Sequence, residues 1–146
     1  MPEGEEGPQT LMDSWVLDTN VVISGLLSPN GPPGRLMDAV LARRLGVVVD
    51  DRILHEYREV LARAKFGFDA ERVSALLRIM AFQTHVSALP VKGLKSSDPD
   101  DTMFLEAAAA SEEKTLVTGN MKHYPSAGRG PVVVLTPTEA WAEFAQ

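Results

Sequence analysis

The sequence predicts an α/β fold in which helices cover both faces of a parallel sheet, and three observations carry that expectation. Short Val/Leu-rich runs at 15–17, 47–49, 115–118 and 131–135 lack polar alternation, as strands buried on both faces should. Segments of helical period separate these runs, the alternation that marks βαβ units. Turn chemistry punctuates the boundaries, as in Ser28-Pro29-Asn30-Gly31-Pro32-Pro33-Gly34.

In chain order, residues 1–14 are polar and carry Pro2, Gly4, Gly7 and Pro8, which predicts a disordered tail ahead of a single domain over 15–146. The first strand covers 15–17 and a short helix covers 21–27, with the triplet Asp18-Thr19-Asn20 at the turn between them. A second helix is expected over 33–44, a strand over 47–49, and a third helix over 52–64 capped by Asp50 or Asp51. Phe66-Gly67-Phe68 breaks that helix, Asp69 caps the next over 70–82, and 84–86 reads as a short strand. The linker 88–97, with Pro90, Lys92, Gly93 and Lys95, is the one long loop. A helix from 99 to 111, a strand over 115–118, a Gly/Pro-rich turn through Arg129, a strand over 131–135 and an amphipathic helix over 137–144 complete the chain. No internal repeat interrupts this order.

The chain has 146 residues, 45% of them apolar and 23% charged, which suits one globular domain with a real core. No apolar run approaches the roughly 20 residues of a membrane span. The first residues are acidic rather than basic and apolar, unlike a signal peptide, so a soluble cytoplasmic protein is expected. Cysteine is absent, which removes disulfides, thiolate nucleophiles and Cys-held zinc together, and leaves oxygen or imidazole to hold any metal. The net charge is −6, but Glu3, Glu5, Glu6 and Asp13 lie in the tail, and the remaining 16 acids against 14 bases give −2. Several carboxylates gathered in a cation site would themselves depress the total, so the charge does not exclude a nucleic-acid substrate.

The acids fall at informative places. In open α/β sheets ligands lie beyond the carboxyl ends of strands, where Asp18 follows the first strand. Capping of the next helix by Asp18, Thr19 or Asn20 explains the same triplet. On the third helix Ile53, Tyr57, Val60, Leu61 and Ala64 form the apolar stripe, which puts Glu56 about 60° from its centre, at the rim, and Glu59 about 120° away, in solvent. A rim glutamate can reach into a cleft or pair with Arg52 or Arg63. Asp98-Pro99-Asp100-Asp101 is a complete helix start, with Asp98 as N-cap. Asp101 is less well explained, since it shares a face with Phe104 and Ala108, where a carboxylate needs a partner or a metal. Thr118-Gly119-Asn120 again follows a strand; Thr118 and Asn120 could bind substrate or a metal-bound water, or simply make the turn. Lys122 and His123 could contact phosphate, although a lone histidine in a surface turn is more often structural. Hard oxygens from four segments converging at one sheet edge suit Mg²⁺ or Mn²⁺ and phosphodiester hydrolysis.

The set Val16-Leu17-Asp18-Thr19-Asn20-Val21, Ile53 to Leu61 around Glu56, Asp98-Pro99-Asp100-Asp101 before Phe104-Leu105, and Val117-Thr118-Gly119-Asn120 resembles the PIN domain family. The motifs occur in family order and cover nearly the whole chain. They most resemble the group of VapC-like toxin components of toxin-antitoxin pairs. The resemblance implies a three-layer α/β/α sandwich with a parallel sheet of about five strands in the order 3-2-1-4-5. It also implies a Mg²⁺ or Mn²⁺ dependent endoribonuclease that leaves a 5′-phosphate and a 3′-hydroxyl, a homodimer, and an antitoxin partner encoded elsewhere. Carried over by position, Asp18, Glu56 and Asp101 are the catalytic, metal-binding acids, Asp98 is an auxiliary metal acid, and Thr19, Asn20 and Thr118 are polar supports. The departure is Asn120, where many members carry Asp, which weakens a second metal site.

Two other strand-end aspartate chemistries fit less well. A phosphoacceptor receiver needs an adjacent acid pair that Asp18-Thr19-Asn20 lacks, and a haloacid-dehalogenase-type phosphatase needs an acid where Asn20 stands. The remaining rival is a catalytically silent PIN-like module that binds RNA or protein. Lys92, Lys95, Lys122 and Arg129, on loops, would steer an RNA backbone.

Overall fold

A computed structural model describes residues 12–87 and 90–145 of the chain. Residues 1–11 of the expected tail and 88–89 of the expected linker lie outside the described residues. Five strands, β1 (Ser14–Leu17), β2 (Gly46–Val49), β3 (Thr84–His85), β4 (Thr115–Val117) and β5 (Val133–Leu135), form one sheet. Its order is β3-β2-β1-β4-β5, every neighbouring pair is parallel, and β3 is a two-residue edge. Trp15 to Leu17, Val47 to Val49, and Leu116 with Val117 are all buried, so the continuous apolar runs mark strands covered on both faces.

Among the described residues six helices flank the sheet: α1 (Thr19–Leu27), α2 (Pro32–Leu41), α3 (Asp51–Leu61), α4 (Ala70–Ala81), α5 (Thr102–Ala110) and α6 (Pro137–Phe144). The alanine-rich α5 lies across β1, β2 and β4, its small side chains allowing close approach, while α2 packs on α1 and α6. Two ends are fixed by side-chain caps. Asp50 accepts from the Ile53 amide at 2.9 Å to start α3, and Thr136 with Glu139 forms a reciprocal capping box on α6.

The structure differs from the sequence reading at several boundaries. Asp13 already accepts from the Gly46 amide at 2.8 Å, so pairing reaches back beyond β1. Helix α1 begins at Thr19 rather than at 21; only Asp18 occupies the turn, and Thr19 and Asn20 form the first helical residues. Helix α2 ends at Leu41 rather than 44, because the chain reverses through Arg43 at φ 61°. The segment after Asp98 first makes a 3₁₀ turn, Pro99–Asp101, and α5 starts only at Thr102. The Gly/Pro-rich stretch after β4 holds two further 3₁₀ turns, Met121–His123 and Ser126–Gly128.

This last stretch closes against the loop before Asp98. The Lys95 amide donates to the Gly128 carbonyl at 2.9 Å and the Ser97 amide to the His123 carbonyl at 2.8 Å. Gly128 is required there, since a Cβ would stand 2.2 Å from the Lys95 carbonyl oxygen.

Candidate functional site

The carboxyl ends of β1 and β4 lie side by side, and the Asp18 amide donates to the Val117 carbonyl at 2.9 Å. That pairing sets Asp18 beside Thr118. Asp18 is only 4% exposed, and although it stands at the N-cap position of α1 its side chain makes no capping bond. Its Oδ2 instead accepts from the Thr118 hydroxyl at 2.9 Å and from the Tyr124 phenol at 2.7 Å. Of the two explanations open in the sequence, capping and a cleft-facing acid, the missing cap bond removes capping by Asp18. Two charge-assisted bonds offset part of the cost of burying the carboxylate. Among the described residues Asp18 Oδ1 accepts no hydrogen bond.

Glu56 is half-buried at the rim of α3 and Glu59 is exposed, as the helical angles predict. Glu56 accepts from the Thr19 hydroxyl at 3.1 Å, which ties α3 to the start of α1. Arg52 does not pair with Glu56; it bridges Asp50 at 2.8 Å and the largely buried Glu106 at 2.6 Å. Asn20 Oδ1 accepts from the Gly119 amide at 2.9 Å and so fastens the loop after β4 to α1.

Asp101 is half-buried at the end of the 3₁₀ turn, and its Oδ2 meets His123 Nδ1 at 2.7 Å. Burial, and then the charge of Asp18, push the Asp101 carboxyl above the ordinary aspartate range, against the pull of His123. Asp98 is exposed and accepts from the Asp100 amide at 3.0 Å, so it caps the turn. Asn120 is half-buried beside His123, and Lys122 is exposed.

The charges of all three acids are felt at Tyr124. The Tyr124 phenol is held protonated by burial and then by the charge of Asp18, with smaller contributions from Asp101 and Glu56. Tyr57 is held protonated in the same way, by burial first and then by Asp18 and Glu56. The chain has two tyrosines, and both hydroxyls end at the same place: Tyr57 donates to the Leu17 carbonyl while Tyr124 donates to Asp18. Neither was a candidate in the sequence. A polar-tipped aromatic in a Gly/Pro-rich turn was the only available signal for Tyr124.

The donor set is chemically suited to a hard divalent cation. Among the described residues, however, no three carboxylate or imidazole side chains stand close enough to form a closed metal cage. Mg²⁺ usually retains several waters and takes only one or two carboxylates, so an open set of acids with uncommitted oxygens still fits such an ion.

Comparison with known proteins identifies the family to which this sequence is similar. A family model described as PIN domain matches residues 14–122. The uncharacterized protein MJ1680 of Methanocaldococcus jannaschii is 28% identical over 108 residues, covering 72% of this chain and 69% of its own length. The matched segment contains Asp18, Glu56, Asp98, Asp101 and Asn120, and stops just before His123 and Tyr124.

Proposed function

The chain belongs to the PIN domain family, whose members are generally nucleases, and on that premise we propose that it is a Mg²⁺ or Mn²⁺ dependent endoribonuclease. The observation that carries the reading is the pair Asp18 and Asp101. Asp18 is buried and Asp101 half-buried, each is held through Oδ2 alone, and the charge of Asp18 raises the proton affinity of Asp101. Such mutual repulsion is relieved by a cation placed between the acids. Asp18, Asp101 and Glu56 are the residues to hold it, with Asp98 as an auxiliary acid. A divalent ion there would lower the pKa of a water and neutralise charge developing on a phosphodiester.

The protein's own groups orient the acids. Thr118 and Tyr124 fix Asp18, Thr19 fixes Glu56, and Asn20 holds the loop that carries Thr118 and Asn120. Lys95 and Lys122 are exposed on loops joined at Gly128 and His123, next to Asp98, where they would attract an RNA backbone. Arg129 is drawn off, since its Nε donates to the Tyr124 carbonyl at 2.8 Å.

Cleavage of a labelled single-stranded RNA with and without Mg²⁺, by wild type and by Asp101→Asn, tests this reading. Metal-dependent cleavage lost in the variant supports it, and wild-type rates in Asp101→Asn would sink the assignment. Asn120 and the open acid set favour a second reading, a module that binds RNA or protein without cutting; RNA retention with no cleavage at any metal concentration would select it. The toxin role and an antitoxin partner rest on the motif resemblance. Homodimerisation does too, with Leu27, Leu41 and the 88% exposed Phe82 as apolar surface available for a second copy. A monomeric mass by light scattering at micromolar concentration would contradict the dimer. Among the described residues no helix is long and apolar enough to cross a membrane.

A further inference from the structure

The 3₁₀ turn after β4 carries a chain of side-chain contacts that ends on Asp101. The Thr118 hydroxyl, which donates to Asp18, accepts from the Asn120 backbone N–H at 3.0 Å. The Asn120 side-chain Nδ2 meets His123 Nε2 at 3.0 Å, and His123 Nδ1 meets Asp101 Oδ2 at 2.7 Å. The backbone is fastened at the far end as well, where the Ser97 amide donates to the His123 carbonyl at 2.8 Å. Both ring nitrogens are therefore engaged. The imidazole is not placed as a ligand, and it is not an idle surface group.

Donor and acceptor roles follow from the partners. An ionised Asp101 only accepts, so Nδ1 must carry its hydrogen. In the neutral ring Nε2 is then an acceptor, and the Asn120 amide supplies the N–H that it requires. An aspartate at this position would offer an acceptor to that nitrogen instead. With its Nδ2 3.0 Å from Nε2, Asn120 is placed to donate to the ring and so to favour the tautomer that carries its hydrogen on Nδ1.

We propose that His123, oriented by Asn120, is a positioning residue that holds Asp101 through Oδ2 and leaves Oδ1 for the divalent ion. This inference rests on the metallonuclease reading above. Supporting hydrogen bonds to a ligating group fix its orientation, and their removal costs metal affinity even though they never touch the ion.

The test is Mn²⁺ binding to the full chain, followed by the spin-resonance signal of the free ion, for wild type, His123→Ala, His123→Asn and Asn120→Ala, with Asp18→Asn as control. Cleavage kinetics on single-stranded RNA and the ¹⁵N shifts of the wild-type imidazole accompany it. His123→Ala is expected to weaken Mn²⁺ at least about tenfold and to lower kcat with KM for RNA unchanged. Asn120→Ala should weaken binding less. His123→Asn should restore most of the affinity, because its Nδ2 occupies the place of the ring Nδ1. The ring should show a hydrogen on Nδ1 and none on Nε2.

Wild-type Mn²⁺ affinity in His123→Ala, alongside weakened binding in Asp18→Asn, would overturn the inference and leave the metallonuclease reading standing. A rise in KM alone would make His123 an RNA contact and overturn it equally. A wild type that binds no Mn²⁺, or an Asp18→Asn variant that binds as wild type does, removes both. If His123→Ala does not fold, His123→Asn and the ring tautomer decide: loss of Mn²⁺ affinity in His123→Asn, or a ring with no hydrogen on Nδ1, overturns the assignment.

Discussion

Replacing Tyr124 by Phe removes one oxygen and nothing else from a side chain that is fully buried. The lost bond is the 2.7 Å donation to Asp18 Oδ2, and at 4% exposure Asp18 has little access to solvent that could replace it. Thr118 then remains as the sole donor to that carboxylate among the described residues. A hydrogen bond to a charged group contributes about 1.5–3 kcal/mol, so the metal-free protein should lose ~2 kcal/mol. For a domain of this size that lowers Tm by roughly 6 °C. The phenol is held protonated by burial and by Asp18, so the loss should not vary across the neutral pH range. The same substitution in an Asp18→Asn background breaks a neutral bond instead and should cost only ~1 kcal/mol, roughly 3 °C. The two differ by a coupling of about 1 kcal/mol, which a double-mutant cycle read by calorimetric melting in chelator measures. Equal losses in both backgrounds, or a single-variant shift below about 1 °C, would refute the claim that the phenol serves the Asp18 charge.

Asp101→Asn should melt higher than wild type in the absence of metal at neutral pH. The folded-state pKa of Asp101 is raised by burial and by Asp18, so its carboxyl contributes stability below the ordinary value of 3.8 and loses it as pH rises through the raised value. The gap between variant and wild type must therefore widen with pH, and a gap that closes on going from acid to neutral pH would contradict the assignment. Gly128→Ala drives a Cβ to 2.2 Å from the Lys95 carbonyl oxygen and should cost about 2–3 kcal/mol in a denaturant titration; an unchanged midpoint would mean the two loops are not held together. Arg52→Ala strands Glu106 and Asp50, which are 9% and 6% exposed. Because Arg52 itself is 45% exposed, the penalty should fall to about 2 kcal/mol, below that of a fully buried pair; a neutral result by the same titration would show that water already serves both acids.

The parts of the fold visible in the sequence were those written in local pattern. Unbroken apolar runs marked β1, β2, β4 and β5, the stripe on α3 separated Glu56 from Glu59, and the cap of α3 was narrowed to Asp50 or Asp51, of which the structure uses Asp50. Boundaries failed where a turn adopted a tighter geometry than the pattern implied, as at Pro99–Asp101, or where the chain left the helix through a left-handed residue, as at Arg43. The acids of the proposed site were singled out because carboxylates at strand ends and at the rim of a buried helix face need a physical reason. Their supports were not. Tyr124 reaches Asp18 across 106 positions of sequence and His123 reaches Asp101 across 22, and neither pairing has a local periodicity. They exist because the irregular stretch after β4 folds back along the loop before Asp98, an arrangement set by Gly128 and by backbone bonds rather than by any motif. The site was thus readable as a set of charges, and only the folded chain showed how those charges are held.

On the proposed reading, Asp18 anchors a divalent-cation site that cleaves RNA. Calorimetric titration of Mn²⁺ into wild type and Asp18→Asn, with cleavage of single-stranded RNA measured on the same samples, tests it most directly. The account predicts one saturable binding event and metal-dependent cleavage in the wild type, both lost in Asp18→Asn while its fold, read by circular dichroism, is kept. A folded wild type that binds no Mn²⁺ and cuts nothing in the presence of RNA would contradict it.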